Sequence, residues 1–222
     1  MSAFLLDFDG TLFDSKESFI LAYNMALSKY SLPPLPRNES DAMQLLRKPA
    51  DAILPAILGG QSSDPSLLKS FISDLKACYG SVYLEHTLPC PMAVETVRQL
   101  NALDLKVAVV SSRRSFTGFI RPLLAKHGVD SMVDPIITSL DVVKTKPSPE
   151  PFLLAACRLG IRPNGCVVVG DSPEDVLGGK AAGMLTVAYT GGFYSFEELS
   201  KYGADIITGN ISDLVKLAKE AR

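Results

Sequence analysis

A chain of 222 residues is long enough for one large domain or two unequal ones, and 47% hydrophobic with 21% charged residues is the composition of a folded protein rather than a disordered one. Its 22 basic and 24 acidic residues leave a formal net charge of −2, which excludes a global field drawing it to nucleic acid or an anionic membrane; any anion site must be local. The apolar start at residues 1–6 is cut off by Asp7 too early for a signal peptide, and no apolar run reaches the ~18 residues of a membrane span, so the expected address is the cytoplasm.

In chain order, the first predicted element is a buried strand, AFLLDF at 3–8, which runs into two aspartates one residue apart and then Gly10. From about residue 15 to 87 the pattern is helical, with turn signals at PPLP (33–36) and GGQSSDP (59–65) and no buried strand. About four helices are expected there, the first opening at Asp14 with Glu17 three residues on, a spacing that resembles a capping box. Further short β-branched runs follow: KVAVVSS (106–112), PIIT (135–138), CVVVGD (166–171), LTVAYT (185–190) and ADIIT (204–208), alternating with amphipathic helical stretches. That alternation predicts an α/β fold, a doubly wound parallel sheet of Rossmann-like form with an inserted all-helical cap. The expected division is a core of 1–14 and 88–222 and a cap of 15–87. The hinge then lies beside the carboxyl end of the first strand, where ligands bind in open α/β sheets, and the insertion reads as a movable lid. Cys78, Cys90, Cys157 and Cys166 show no CxxC pairing, and His86 and His127 lie far apart, so the thiols read as small buried hydrophobes rather than a zinc or disulfide framework.

In an extended backbone Asp7 and Asp9 project to one side, and two carboxylates so close resist joint ionisation unless a cation neutralises them. An oxygen-seeking divalent ion such as magnesium is the simplest candidate. Gly10 lets the chain turn and present amides to an anion. GDSPED at 170–175 places another carboxylate, Asp171, at a strand end; Ser172 suits an N-cap, Pro173 the first helical position, and Asp175 reads either as a capping carboxylate or as part of the site. Ser111 and Ser112 end the second strand and could hold phosphoryl oxygens or simply cap a helix. In KTKPSPEPF (144–152), Lys146 is either solvated or the cation that a site of carboxylates and phosphate needs; Ser148 can cap and Pro149 start the next helix. Arg113 and Arg114 follow near a helix start, where the dipole disfavours cations, and read as a solvated pair or as an anion contact. LGGKAAG (177–183) reads as small residues that let a helix pack closely on the sheet, since neither a Walker sequence nor a GxGxxG accompanies it.

These motifs together resemble the haloacid dehalogenase superfamily of phosphatases, in the branch with a helical cap after the first strand. DFDGT at 7–11 matches the family's DxDGT, Ser111 its second-strand hydroxyl, Lys146 its lysine before proline, and 170–175 its GDxxxD, all in the family's order. The flanks DGTLFDS and DVLGGKAAGM and the tail TGGFYSFEELSKYGADIIT are similar to phosphoglycolate-phosphatase-like and β-phosphoglucomutase-like members.

The resemblance implies a Mg2+-dependent phosphatase acting on a small phosphorylated metabolite. Asp7 would be the nucleophile that becomes an aspartyl-phosphate, and Asp9 the general acid and then base. The metal would be held by the Asp7 carboxylate, the Asp9 backbone carbonyl and Asp171, with Asp175 steadying that shell. Lys146 and Ser111 would stabilise phosphoryl oxygens, with Gly10, Thr11, Ser112 and Arg113 as further substrate contacts. The intact Asp9 separates the chain from the metal-free dehalogenases and the phosphonate hydrolases. In MQLLRKPADAI (43–53) Arg47, Lys48 and Pro49 stand where related caps carry a glycine-containing turn; Arg47 or Lys48 could reach the non-reacting end of an anionic substrate, or form a solvated helix end. A sugar-phosphate mutase, a pyrophosphatase and a non-catalytic phosphate-metabolite binding protein are the alternatives.

Overall fold

The computed structural model describes residues 1–36, 39–48, 50–57, 64–113 and 117–221. Pro49, Arg114 and residues 59–63 of the expected GGQSSDP turn lie outside the described residues. The chain forms two compact units, Met1–Asp14 with Pro89–Arg222, and Ser15–Leu88.

In the first unit, six β-branched-rich segments become strands β1 (Ala3–Leu6), β2 (Lys106–Val110), β3 (Val133–Ile137), β4 (Cys166–Gly170), β5 (Leu185–Tyr189) and β6 (Ile206–Thr208). All pairings are parallel, in the spatial order β3-β2-β1-β4-β5-β6. This is a doubly wound α/β sheet of Rossmann-like form, and the order reverses between β1 and β4. Register places Leu6 beside both Val109 and Val169, so the residues just past β1, β2 and β4 emerge together at one edge.

Helices α5 (Ala93–Ala102) and α6 (Ile120–Lys126) flank β2 in sequence, and side chains alternate across the sheet. Ala3, Leu5, Ala108, Val110, Cys166 and Val168 face a layer that includes Phe152, Ala155 and Ala156 of helix α7 (Glu150–Leu159). Phe4, Leu6, Val107, Val109, Val167 and Val169 are equally buried on the opposite face. Helix α8 (Pro173–Ala181) packs against β4 and β5, and its glycines explain how closely. A Cβ on Gly179 would lie 2.7 Å from Thr186 Cγ2 and 2.9 Å from Val168 Cβ, and one on Gly178 would lie 2.5 Å from Phe152. The small residues of 177–183 are therefore a packing device.

The second unit contains, among the described residues, α1 (Lys16–Lys29), α2 (Glu39–Leu46), α3 (Ala50–Ile57) and α4 (Pro65–His86). Helices α1 and α4 pack through Ala22, Ala26, Leu27, Phe71, Leu75 and Tyr79, with the Phe19 and Tyr79 rings stacked at 4.9 Å. Asp74 accepts from Lys29 and from the Tyr30 hydroxyl, each at 2.7 Å.

Three local expectations need correction. The capping box at Asp14 and Glu17 does not form: Ser15 is the N-cap of α1 without a side-chain cap bond, and Glu17 instead faces His86 Nδ1 at 3.1 Å. Pro149 is the N-cap of α7 rather than its first residue, and the Ser148 hydroxyl accepts the Glu150 amide at 3.2 Å. Cys157 is exposed while Cys78, Cys90 and Cys166 are buried, because it lies on the solvent face of α7. Among the described residues no helix is long and apolar enough to cross a membrane.

Leu5 has no exposed surface at the centre of the sheet. Leu5→Ala is expected to cost about 2–5 kcal/mol, seen as a lower urea midpoint with an unchanged m-value.

Candidate active site

The site starts at the crevice between β1 and β4. The Asp7 amide donates to Val169 O at 2.8 Å, which continues the β1–β4 pairing one step past the strand and puts Asp7 beside the chain that delivers Asp171. Lys146 lies between two carboxylates: its Nζ is 2.8 Å from Asp7 Oδ1 and 2.5 Å from Asp175 Oδ1. Only 2% of its side chain is exposed, and its ammonium is 5.4 Å from the centre of the Phe152 ring. A solvated lysine is thereby ruled out.

Asp175 does two things at once. Its Oδ2 accepts from the Ser172 hydroxyl at 2.6 Å and the Ser172 amide at 3.3 Å, closing a capping box at the start of α8, while Oδ1 takes Lys146. Asp171, 1% exposed, is bound on both oxygens: the Thr11 hydroxyl donates to Oδ1 at 3.1 Å and the Phe193 amide to Oδ2 at 2.6 Å. Gly10, at φ +80°, makes the turn that packs against this carboxylate.

Burial, more than any neighbour, pushes the Asp7 carboxyl well above the usual carboxylate range; Lys146 pulls it down, and Asp175, Asp171 and Asp9 add to the rise. Burial and then Asp175 lift Asp171 to about 7, against the downward pull of the Phe193 amide and the Thr11 hydroxyl. Burial works against the Lys146 ammonium, but Asp175 and Asp7 outweigh it and hold its pKa above the ordinary lysine value. The cluster is thus short of positive charge.

Asp9 has a different partner. Arg113 Nε donates to its Oδ2 at 2.8 Å and Nη2 to its Oδ1 at 2.7 Å, a bidentate fork whose guanidinium lies 4.8 Å from the centre of the Phe8 ring. The Arg113 side chain is 3% exposed, so the solvated-pair reading fails for it. Ser111 is buried and its hydroxyl accepts the Arg113 amide at 3.1 Å, whereas Ser112 is exposed and offers its carbonyl to the Ser139 hydroxyl at 2.6 Å. Arg47, half-buried, and Lys48, exposed, follow α2 in the helical unit.

Asp7, Asp171 and Asp175 each offer a carboxylate oxygen, and these atoms lie within 4.8 Å of one another. Three hard oxygen donors, those of Asp171 and Asp175 buried and that of Asp7 half-buried, fit a divalent cation. Sequence reasoning missed two members of the network, the Phe193 amide and the Asp9–Arg113 fork. The only signal for the first was the glycine pair preceding it, since a backbone donor has no residue identity.

The model of the haloacid dehalogenase-like hydrolase family matches residues 4–189. The chain belongs to that family. Among curated relatives of this hydrolase, the phosphoglycolate phosphatase of Salmonella choleraesuis is 30% identical over 228 residues, covering 94% of this chain and 89% of the relative. A crystal structure of a predicted phosphoglycolate phosphatase from Haemophilus somnus superposes with a TM-score of 0.88 at 24% identity, covering 98% of each chain. CbbY from Rhodobacter sphaeroides, in complex with xylulose-(1,5)-bisphosphate, superposes with a TM-score of 0.81 at 21% identity over 96% of each chain. Both structures match this hydrolase in fold.

The raised pKa of Asp171 has a signed consequence for stability. The folded hydrolase holds this proton more tightly than the unfolded chain, whose aspartates titrate near ~3.9, so the contribution is complete below that pH and is lost as pH rises through about 7. Metal-free wild type should therefore lose stability relative to Asp171→Asn between those limits, read from urea midpoints across pH. A pH-independent difference would contradict the shift.

Proposed function

We propose that this family member hydrolyses a small anionic phosphomonoester of the phosphoglycolate class, with Asp7 as the phosphorylated nucleophile and Mg2+ as the cation. The observation that carries the reading is the position of Asp7: at the switch point of the sheet, paired with Lys146 and grouped with Asp171 and Asp175. The chain is a phosphatase of its family, acting on a phosphorylated small molecule. Curated relatives named phosphoglycolate phosphatase support the substrate class.

In this mechanism an Asp7 carboxylate oxygen attacks phosphorus, the bond to the ester oxygen breaks, and Asp9 supplies the proton that the leaving alkoxide takes. Water then attacks the phosphorus of the aspartyl-phosphate while Asp9 accepts its proton; the bond to Asp7 breaks, releasing inorganic phosphate and restoring the carboxylate. Asp9 can do this only after giving up the fork with Arg113. Lys146, Ser111 and amides near Gly10 hold the phosphoryl oxygens, with Ser112 a further contact; the Gly10 amide itself is donated to Phe13 O at 2.8 Å and the fully buried Thr11 serves Asp171 instead of the substrate. Asp7, Asp171 and the Asp9 carbonyl would hold Mg2+, with Asp175 steadying the shell; when bound, the ion neutralises charge on the phosphoryl oxygens. Residues 15–87 act as the cap, and Arg47 or Lys48 engages the non-reacting end of the substrate.

Initial rates on phosphoglycolate, hexose phosphates, nucleoside monophosphates and pyrophosphate, with Mg2+ and with chelator, test the proposal. Turnover should require the metal and fall at least about 10⁴-fold in Asp7→Asn. Hexose phosphate converted to its isomer without release of phosphate would instead identify a mutase, and tight binding without turnover a binding protein.

For the cap, Arg47→Ala or Lys48→Ala is expected to raise KM for phosphoglycolate about tenfold with little change in kcat. Unchanged KM in both would remove these residues from the substrate site.

A further inference from the structure

The turn after β5, residues 190–195, carries two adjacent glycines, Gly191 and Gly192, that the mechanism does not use. Neither has a positive φ, so backbone freedom is not what requires them. Room is. A Cβ on Gly192 would collide with Cβ, Cγ and Oδ2 of Asp171, and one on Gly10 would lie 2.7 Å from Asp171 Cγ. The Asp171 carboxylate therefore sits in a slot against two bare α-carbons contributed by segments about 180 residues apart in sequence. The same slot brings the next backbone amide, that of Phe193, to Oδ2 at 2.6 Å, opposite the Thr11 hydroxyl on Oδ1.

We propose that the Gly192–Phe193 step is a positioning element of the cation site: the missing side chain at Gly192 lets the Phe193 amide reach Asp171, and that bond fixes how the carboxylate presents itself beside Asp7 and Asp175. The proposal rests on the cation reading of the acidic cluster. One donor on each oxygen stops rotation of the carboxylate, and a carboxylate oxygen has a second lone pair left for a cation. Partners of this outer kind govern metal affinity by about 10- to 100-fold. A methyl group at Gly192 would push the turn off Asp171, lengthen the amide bond and release the carboxylate to rotate.

The test is Mg2+ titration of the whole protein by calorimetry, without substrate. Gly192→Ala is expected to weaken Mg2+ binding about 10- to 100-fold and to raise the Mg2+ concentration for half-maximal activity in parallel. Gly118→Ala, whose added Cβ meets nothing within 4 Å, should bind as wild type does. A folded Gly192→Ala with wild-type affinity overturns the proposal. If that variant does not melt cooperatively, the wild-type Phe193 amide resonance decides: it is expected to shift during Mg2+ titration with the calorimetric Kd, and an unmoved resonance overturns the proposal. Absence of Mg2+ binding by wild type overturns the cation reading itself, and the proposal with it.

Discussion

Three carboxylates, one just past β1, one just past β4 and one in the first turn of α8, converge largely out of water around a single lysine that pairs with two of them. Moving one such group out of water is costly unless charge and hydrogen bonds compensate. Lys146 compensates Asp7 and Asp175 directly, Ser172 completes Asp175, and Asp171 relies on a hydroxyl and a backbone amide. Burial first and neighbouring carboxylates second raise the pKa values of Asp7 and Asp171, and the cluster fits a further positive charge. The local architecture follows from this balance: glycines where carboxylates need space, a capping box that also aims a carboxylate, and a loop lysine folded inward over Phe152.

The two aspartates of the DxD stretch are separated electrostatically although one residue divides them. Asp7 goes to Lys146 and Asp9 to Arg113, and Phe8 between them is buried, stacked on Phe13 at 4.9 Å and under the guanidinium. The two carboxylates thus pair with different cations, Lys146 being shared with Asp175. A bidentate fork uses both oxygens of Asp9.

Much of the fold was legible because its signals are short-range. Six β-branched runs alternating with helical stretches specify a parallel sheet, and Ser172, Pro173 and Asp175 specify a helix start. Gly178 and Gly179 signalled close helix packing, which the contacts to Phe152 and Val168 explain. Local reading failed where two local solutions competed. At the start of α1 the cap is Ser15 rather than Asp14, with Glu17 turned to His86, and Cys157 followed the solvent face of its helix rather than its intrinsic preference for burial.

Periodicity, capping and turn formation are settled within a few residues, so the elements, the strand ends at which acidic residues emerge and the chemistry open to those residues can be read from the chain alone. Tertiary structure alone decided the pairings: Lys146 with Asp7, Arg113 with Asp9 and Thr11 with Asp171 join residues 139, 104 and 160 positions apart. It also decided that a backbone amide, invisible as a residue type, would complete Asp171. Such contacts depend on strand order and on the space between segments, and both exist only once the sheet has assembled.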